Sequence, residues 1–221
     1  MSNIKLSIDY KDWAEKAQPG ELAFHKKPNS RTNTDSFYKS NSELFKKHGF
    51  SPNQFSGGVV IDAGAGSRLR AKYFKGCHRI AIEPLGDKYM NEVPWCDLQE
   101  ANEVISLPIE KEIIRLKNSA DFVFSINVLD HCYEFIRSIE TIFSYLKPNA
   151  ICFLTFDCHT EVDDLHPIVV NEKVATAVIY DSGFIISQMS RIEAYHEGIA
   201  KYAVAYWLKK PSTKTESVVL R

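Results

Sequence analysis

The sequence predicts an α/β protein built on a mainly parallel sheet with helices on both faces, and three observations predict it. Apolar runs bounded by turn residues fall near 58–62, 79–83, 121–126, 150–156, 184–190 and 201–208, with a fainter seventh at 103–106. Amphipathic helical stretches separate most of these runs, and such alternation implies parallel strands joined by crossovers. The first run, Val59-Val60-Ile61, ends at Asp62 and turns through Ala63-Gly64-Ala65-Gly66. A chain that leaves a sheet edge through two glycines one residue apart lets a ligand lie against bare backbone.

Residues 1 to about 56 lack the alternation. They are polar and basic, carry the aromatics Trp13, Phe24, Phe37 and Tyr38, and predict a helix over 40–48. This segment is expected to form a helical lid or substrate-binding piece over the ligand mouth. Lys26, Lys27, Arg31, Lys39, Lys46 and Lys47 make it locally basic, which suits either a solvated face or the attraction of an anionic substrate. The domain proper is expected over 57–208. Within it Phe135, Ile139, Ile142, Phe143 and Leu146 recur at helical spacing, Pro148 follows, and His131 is placed at the helix start with Asp130 as its N-cap. A second helix runs from about Val169 to Ser182, with Val170, Val174, Ala177 and Val178 on one face and Gly183 as its stop. The stretch 209–221 reads as a polar, frayed tail.

The turn after the first strand narrows the choice of ligand. Dinucleotide sites continue to a third glycine, but that position here is Leu69, and a phosphate is a poor neighbour for Asp62. A carboxylate there suits a cation such as an amino-acid ammonium. Glu83 ends the next strand, where an acid accepts hydrogen bonds from ribose hydroxyls. Amino acid plus ribose without phosphate describes S-adenosylmethionine.

With these residues in place, the sequence resembles the class I S-adenosylmethionine-dependent methyltransferases over roughly Gly57 to Trp207. The likeness rests on the strand-Asp-x-Gly-x-Gly pattern at 62–66, on Glu83, on Asp121-Phe122-Val123-Phe124-Ser125-Ile126-Asn127-Val128-Leu129-Asp130-His131, and on Tyr145-Leu146-Lys147-Pro148-Asn149-Ala150. In the last motif the family usually has Leu-Lys-Pro-Gly-Gly. The resemblance implies a Rossmann-like seven-stranded sheet ending in an antiparallel hairpin, with S-adenosylmethionine as cofactor. Glu21-Leu22-Ala23-Phe24-His25, 127–131 and Asp164-Leu165-His166-Pro167 look like a narrower group of bacterial small-molecule methyltransferases, some associated with surface-glycan pathways.

Residues and resemblance together place the cofactor against Asp62, Ala63, Gly64, Ala65, Gly66, Glu83, Pro84, Ser106, Leu107 and Asn127. Asp62 could equally order the glycine turn or cap the helix after it, and Asn127 could serve only as a turn residue. Ser106 stands where the family often has an acid for the adenine amino group, and Ser67-Arg68 replaces a third small residue in the glycine loop. For a base that takes the acceptor's proton, His166, His131 and His159 are the candidates, because histidine titrates near working pH.

Composition excludes other classes. A net charge of −1 gives no global basic bias toward nucleic acid. Cys77, Cys96, Cys132, Cys152 and Cys158 form no Cys-x-x-Cys pair and read as reduced, mostly packed thiols. No metal site is expected; Cys152, Cys158 and His159 lack a second close pair of ligands. No apolar run approaches the roughly 18 residues of a membrane span, and the opening residues are too charged for a signal sequence, so a soluble, cytoplasmic protein is expected. The leading reading is a methyltransferase for a small hydroxyl- or amine-bearing acceptor, with sugars and surface-glycan precursors among the candidates. The alternatives are a non-catalytic S-adenosylmethionine-binding scaffold or regulatory protein and, disfavoured by Leu69 and Asp62, a nicotinamide dehydrogenase.

Overall fold

The computed structural model describes residues 4–196 and 200–212. Seven strands form one sheet: β1 (Val59–Ala63), β2 (His78–Ile82), β3 (Glu103–Ile105), β4 (Ala120–Ile126), β5 (Leu146–His159), β6 (Ile185–Ile192) and β7 (Ala200–Lys209). Their order is β3-β2-β1-β4-β5-β7-β6. The first five pair in parallel, while β7 lies antiparallel between β5 and β6, which is the expected hairpin. β7 runs to Lys209, and most of the tail expected from 209 lies outside the described residues.

Two hydrophobic layers sandwich the sheet. On one face α5 (Phe135–Tyr145) and α6 (Glu172–Asp181) bury Phe135, Ile139, Ile142 and Ile179 against Ile61, Val123 and Leu154. The opposite layer is aromatic: Phe45 of α3 (Thr34–Lys47), Phe50, Phe55 and Phe74 pack on Phe122, Phe124 and Phe153 of the central strands. Phe55 and Phe122 stack with ring centroids 4.4 Å apart. Each such side chain taken from water contributes about 1.5–3 kcal/mol, so the aromatic layer anchors α3 to the sheet.

Three elements differ from the sequence reading. Only a short 3-10 turn, Arg70–Tyr73, joins β1 to β2 where a crossover helix is the rule, because the link from Gly64 to Cys77 is spent on the glycine turn and on Phe74's insertion into the core. α5 begins at Phe135 rather than at His131; residues 130–133 form a turn and bends, Glu134 bridges Ser7, and Asp130 bonds His159 instead of capping a helix. α3 begins at Thr34, because the Asn33 side chain accepts the Ser36 N–H and starts the helix six residues early. The family-like Pro148-Asn149 step holds, with Asn149 taking φ +67 where a glycine is usual.

Before α3 the chain forms α1 (Tyr10–Asp12), a π-helical turn (Trp13–Ala17) and α2 (Gln18–Lys26), which lie over the C-terminal ends of the parallel strands. Trp13 fixes this run: it packs on Tyr10 and Tyr133, and its Nε1 donates to the His131 carbonyl at 2.8 Å. No helix among the described residues is long and apolar enough to cross a membrane.

Candidate functional site

A cavity of about 300 Å³ opens at the C-terminal ends of β1, β2 and β4. β1 continues to β2 on one side while β4 flanks it on the other, so the cavity sits at the switch point of the sheet, where ligands of such folds bind. The turn Gly64-Ala65-Gly66 makes one wall, Glu83 and Pro84 after β2 make the next, and Asn127 and Val128 after β4 close a third. From above, Glu21, Phe24 and His25 of α2 complete the enclosure with Arg31 and Phe37.

Both glycines are required by the protein's own packing. Gly64 has φ +79, and a Cβ there would stand 2.2 Å from Val128 Cγ1; Gly66 has φ +64, and its Cβ would meet His25 Cε1 at 3.1 Å. Asp62 is not on the cavity wall. Its Oδ2 accepts the Ala71 N–H at 3.2 Å, so the carboxylate anticipated for a ligand ammonium orders the 3-10 turn behind the loop. Burial pushes its pKa up to about 7 against the pull of Arg70. Ala63 is likewise buried in β1, behind the turn.

Glu83 reaches the cavity, with its carboxylate already steadied by backbone. Oε2 accepts from Gly66 N at 2.8 Å and Oε1 from Leu85 N at 3.1 Å. At 6% exposure, burial raises its pKa to about 7 although both N–H groups oppose the rise. Each oxygen keeps a further lone pair for a hydroxyl. Ser106 and Leu107 stay outside: Ser106 Oγ accepts Asp87 N at the start of α4 (Gly86–Glu92), and Leu107 is exposed. Asn127 lines the cavity at φ +54, its N–H given to the Thr155 carbonyl at 2.8 Å, and its buried Oδ1 has no partner. Its turn role is visible, and its free oxygen leaves the ligand role open.

No protein-family model matches the sequence, and no curated protein matches it. Solved structures do match the fold. The [4+2]-cyclase SpnF aligns over 96% of this chain and 100% of its own at 12% identity and TM-score 0.63. Phosphoethanolamine N-methyltransferase 2 of Haemonchus contortus, solved in complex with S-adenosyl-L-methionine, aligns over 92% of this chain and 60% of its own at 13% identity and TM-score 0.63. The 1,6-didemethyltoxoflavin-N1-methyltransferase of Burkholderia thailandensis, with 1,6-didemethyltoxoflavin and S-adenosylhomocysteine bound, aligns over 91% of this chain and 86% of its own at 14% identity and TM-score 0.57. The fold is that of the class I S-adenosylmethionine-dependent methyltransferases.

Several residues outside the expected cofactor set shape this methyltransferase-fold cavity. Arg31 and Arg70 line it, with their guanidiniums 5.4 and 5.0 Å from the ring centres of Phe24 and Phe37. Burial and Arg70 lower Arg31 to about 10, which leaves it cationic at neutral pH. His25 bonds Ser67 Oγ through Nδ1 at 2.7 Å and stacks on Tyr89 at 4.5 Å; burial and Arg31 hold it down to about 3, a neutral imidazole. Arg68 explains the irregular loop: it is 3% exposed, pairs with Asp97 and donates to the Arg31 and Thr32 carbonyls, tying the N-terminal segment to the glycine turn.

Four histidines gather at the far end. His131 Nδ1 lies 2.7 Å from Glu21 Oε1, and its Nε2 is 3.6 Å from Asp130 Oδ2; burial disfavours its charge, but Asp130 and Glu21 outweigh that and push it up to about 9. His166 faces the cavity with Nδ1 on Asp163, and burial and His131 lower its pKa. His196 also faces the cavity, bonded to Asp157, and no sequence motif marks it. The third expected base, His159, is buried under Asp130 with its Nε2 at 2.8 Å from Oδ2 and does not reach the cavity, so the Asp130 carboxylate shields it from an acceptor.

Proposed function

We propose that the chain is an S-adenosylmethionine-dependent methyltransferase acting on a small hydroxyl- or amine-bearing acceptor, with sugars and surface-glycan precursors as the first candidates. The observation that carries this reading is the enclosed cavity at the β1–β4 switch point, with the glycine turn on one wall and Glu83 on the next. In this reading Glu83 accepts from the ribose hydroxyls, Arg31 and Arg70 hold the methionine carboxylate, and Pro84 and Asn127 flank the nucleoside and the reactive end. Asp62 and Ala63 support the turn from behind. The bound sulfonium supplies a methyl group already joined to a good leaving group.

What remains for the protein is positioning and proton removal. α2 covers the cavity through Glu21, Phe24 and His25, so the acceptor is held away from bulk water and directed toward the histidine end. Proton removal from a hydroxyl acceptor falls to that cluster, where Asp130, Glu21, Asp157 and Asp163 orient the imidazoles. The cavity's volume, about 300 Å³, supports a small acceptor.

The likeness to the [4+2]-cyclase SpnF means that fold alone does not fix the chemistry. Incubation with methyl-labelled S-adenosylmethionine and a panel of sugars, nucleotide sugars, small phenols and amines decides it. Label appearing in an acceptor, and lost in Glu83→Ala, supports the proposal. Tight S-adenosylhomocysteine binding with no transfer to any acceptor would favour the non-catalytic scaffold.

A further inference from the structure

His131, His166 and His196 belong to three loops, separated in sequence by whole secondary elements, yet one ring nitrogen of each lies within 4.8 Å of the others. All three face the cavity. What distinguishes them from packed histidines is a repeated arrangement behind each ring. Nδ1 of His131 meets Glu21 Oε1 at 2.7 Å, Nδ1 of His166 meets both Asp163 oxygens at 2.9 Å, and Nδ1 of His196 meets Asp157 Oδ2 at 3.1 Å. A carboxylate on Nδ1 keeps a proton there and turns Nε2 toward a ligand; on His131, whose Nε2 also lies 3.6 Å from Asp130 Oδ2, an incoming ion must displace the Nε2 proton. Carboxylates behind histidines in this way orient metal ligands and raise their basicity.

Two further observations point to a missing partner. His166 is 3% exposed and its Nε2 has no hydrogen-bond partner; Asp130 is fully buried and its Oδ1 has none either. Buried polar atoms left unpaired are costly, and the free Nε2 of His166, a ring nitrogen of the cluster, calls for an occupant, while Asp130 Oδ1 adds an unpaired acceptor beside it. The charge balance has the same sense, since four carboxylates (Glu21, Asp130, Asp157 and Asp163) converge on the imidazoles. We propose that His131, His166 and His196 bind a divalent transition-metal ion, zinc in the first instance, at the acceptor end of the cavity. Three imidazole donors suit zinc rather than magnesium or calcium, which take oxygen ligands. Tetrahedral Zn–N bonds of about 2.0–2.1 Å place ligand nitrogens roughly 3.4 Å apart, so the rings need close by little more than an ångström. A site with three protein ligands keeps its fourth position open toward the cavity, where an acceptor heteroatom would sit. The ion would then acidify that atom's O–H or N–H, and the proton would pass to a neighbouring carboxylate such as Asp130, whose Oδ1 is unpartnered, with the histidines as the ion's holders rather than as free bases.

The inference concerns the cluster and not methyl transfer, so a chain that binds zinc but methylates nothing leaves it standing. The test is calorimetric titration of the chelator-treated full chain with zinc chloride, alongside cobalt chloride followed by visible absorption. The expected result is one zinc per chain and a cobalt spectrum of a four-coordinate nitrogen site. His196→Ala, at a partly exposed position, should abolish stoichiometric binding, and Asp157→Asn should weaken it by about 10–100-fold. Circular dichroism checks that both variants fold. Absence of stoichiometric binding to the wild type would overturn the proposal. So would unchanged affinity in His196→Ala and His166→Ala, or a cobalt–thiolate absorption band that places the ion on cysteine.

Discussion

Glu83 accepts two backbone N–H groups and keeps its remaining lone pairs toward the cavity, at a pKa raised to about 7 mainly by burial. Hydroxyl donors favour the ionised form, so binding a ribose should release a proton from Glu83 below about pH 7. S-adenosylhomocysteine affinity should therefore rise from pH 6 to pH 8 and then level off. In Glu83→Gln the same titration calorimetry should give a flat profile; a pH-dependent slope surviving in that variant would remove Glu83 from the site. This residue, with Gly64 and Gly66, was legible because strand ends and glycines announce themselves in sequence. Arg70 and His196 were not, since no motif marks them and their partners lie far along the chain: Arg70 meets Asn41 across 29 residues and His196 meets Asp157 across 39. Ser106 and His159 were misplaced for the same reason, their side chains being spent on Asp87 and Asp130.

Among the elements, the turn after β1 and the loop after β4 are locked together by Gly64 and Val128. Gly64→Ala combines a strained φ with a Cβ 2.2 Å from Val128 Cγ1, and should cost about 1–3 kcal/mol in denaturant unfolding. Val128→Ala in the same chain should recover part of that loss and leave the φ strain; no recovery would mean that the contact is not what the glycine serves. The N-terminal run depends on Trp13 in a comparable way. Trp13→Ala should raise hydrogen exchange over residues 10–26 while β1, β4 and β5 stay protected, because Trp13 holds that run through a small cluster with Ala17 and Tyr133 and a bond to the His131 carbonyl, apart from the two layers on the sheet. Uniform exchange across the sheet would show instead that the run is part of the global fold. Strand positions were readable from apolar runs, whereas the missing β1–β2 helix was not, since nothing in 67–77 announces that Arg68 and Phe74 are drawn inward.

At the scale of the molecule, Asp62 and Glu83 bury two carboxyls whose pKa values both rise to about 7, from 3.8 and 4.5. Between those values and about pH 7 these two carboxyls hold more protons in the folded chain than in the unfolded one, so their contribution to stability falls as pH rises, at about 1.4 kcal/mol per proton per pH unit, while His25, held neutral by burial, works the other way below its ordinary value of 6.5. The ligand-free protein should melt higher at pH 5.5 than at pH 7.5, and Asp62→Asn should shrink the difference; an equal or reversed order would contradict the burial of these groups as the dominant influence. The sheet order and the switch-point cavity bring these carboxyls and the glycine turn to one edge, and the central claim is that S-adenosylmethionine binds there. Calorimetric titration with S-adenosylhomocysteine, for the wild type and Glu83→Ala and with NAD as control, tests it most directly. The expected result is one-to-one binding by the wild type, a loss of about ten-fold or more in Glu83→Ala, as removing a charged hydrogen-bond acceptor costs about 1.5–3 kcal/mol, and no binding of NAD. Equal affinity in the two proteins, or NAD bound in preference, would contradict it.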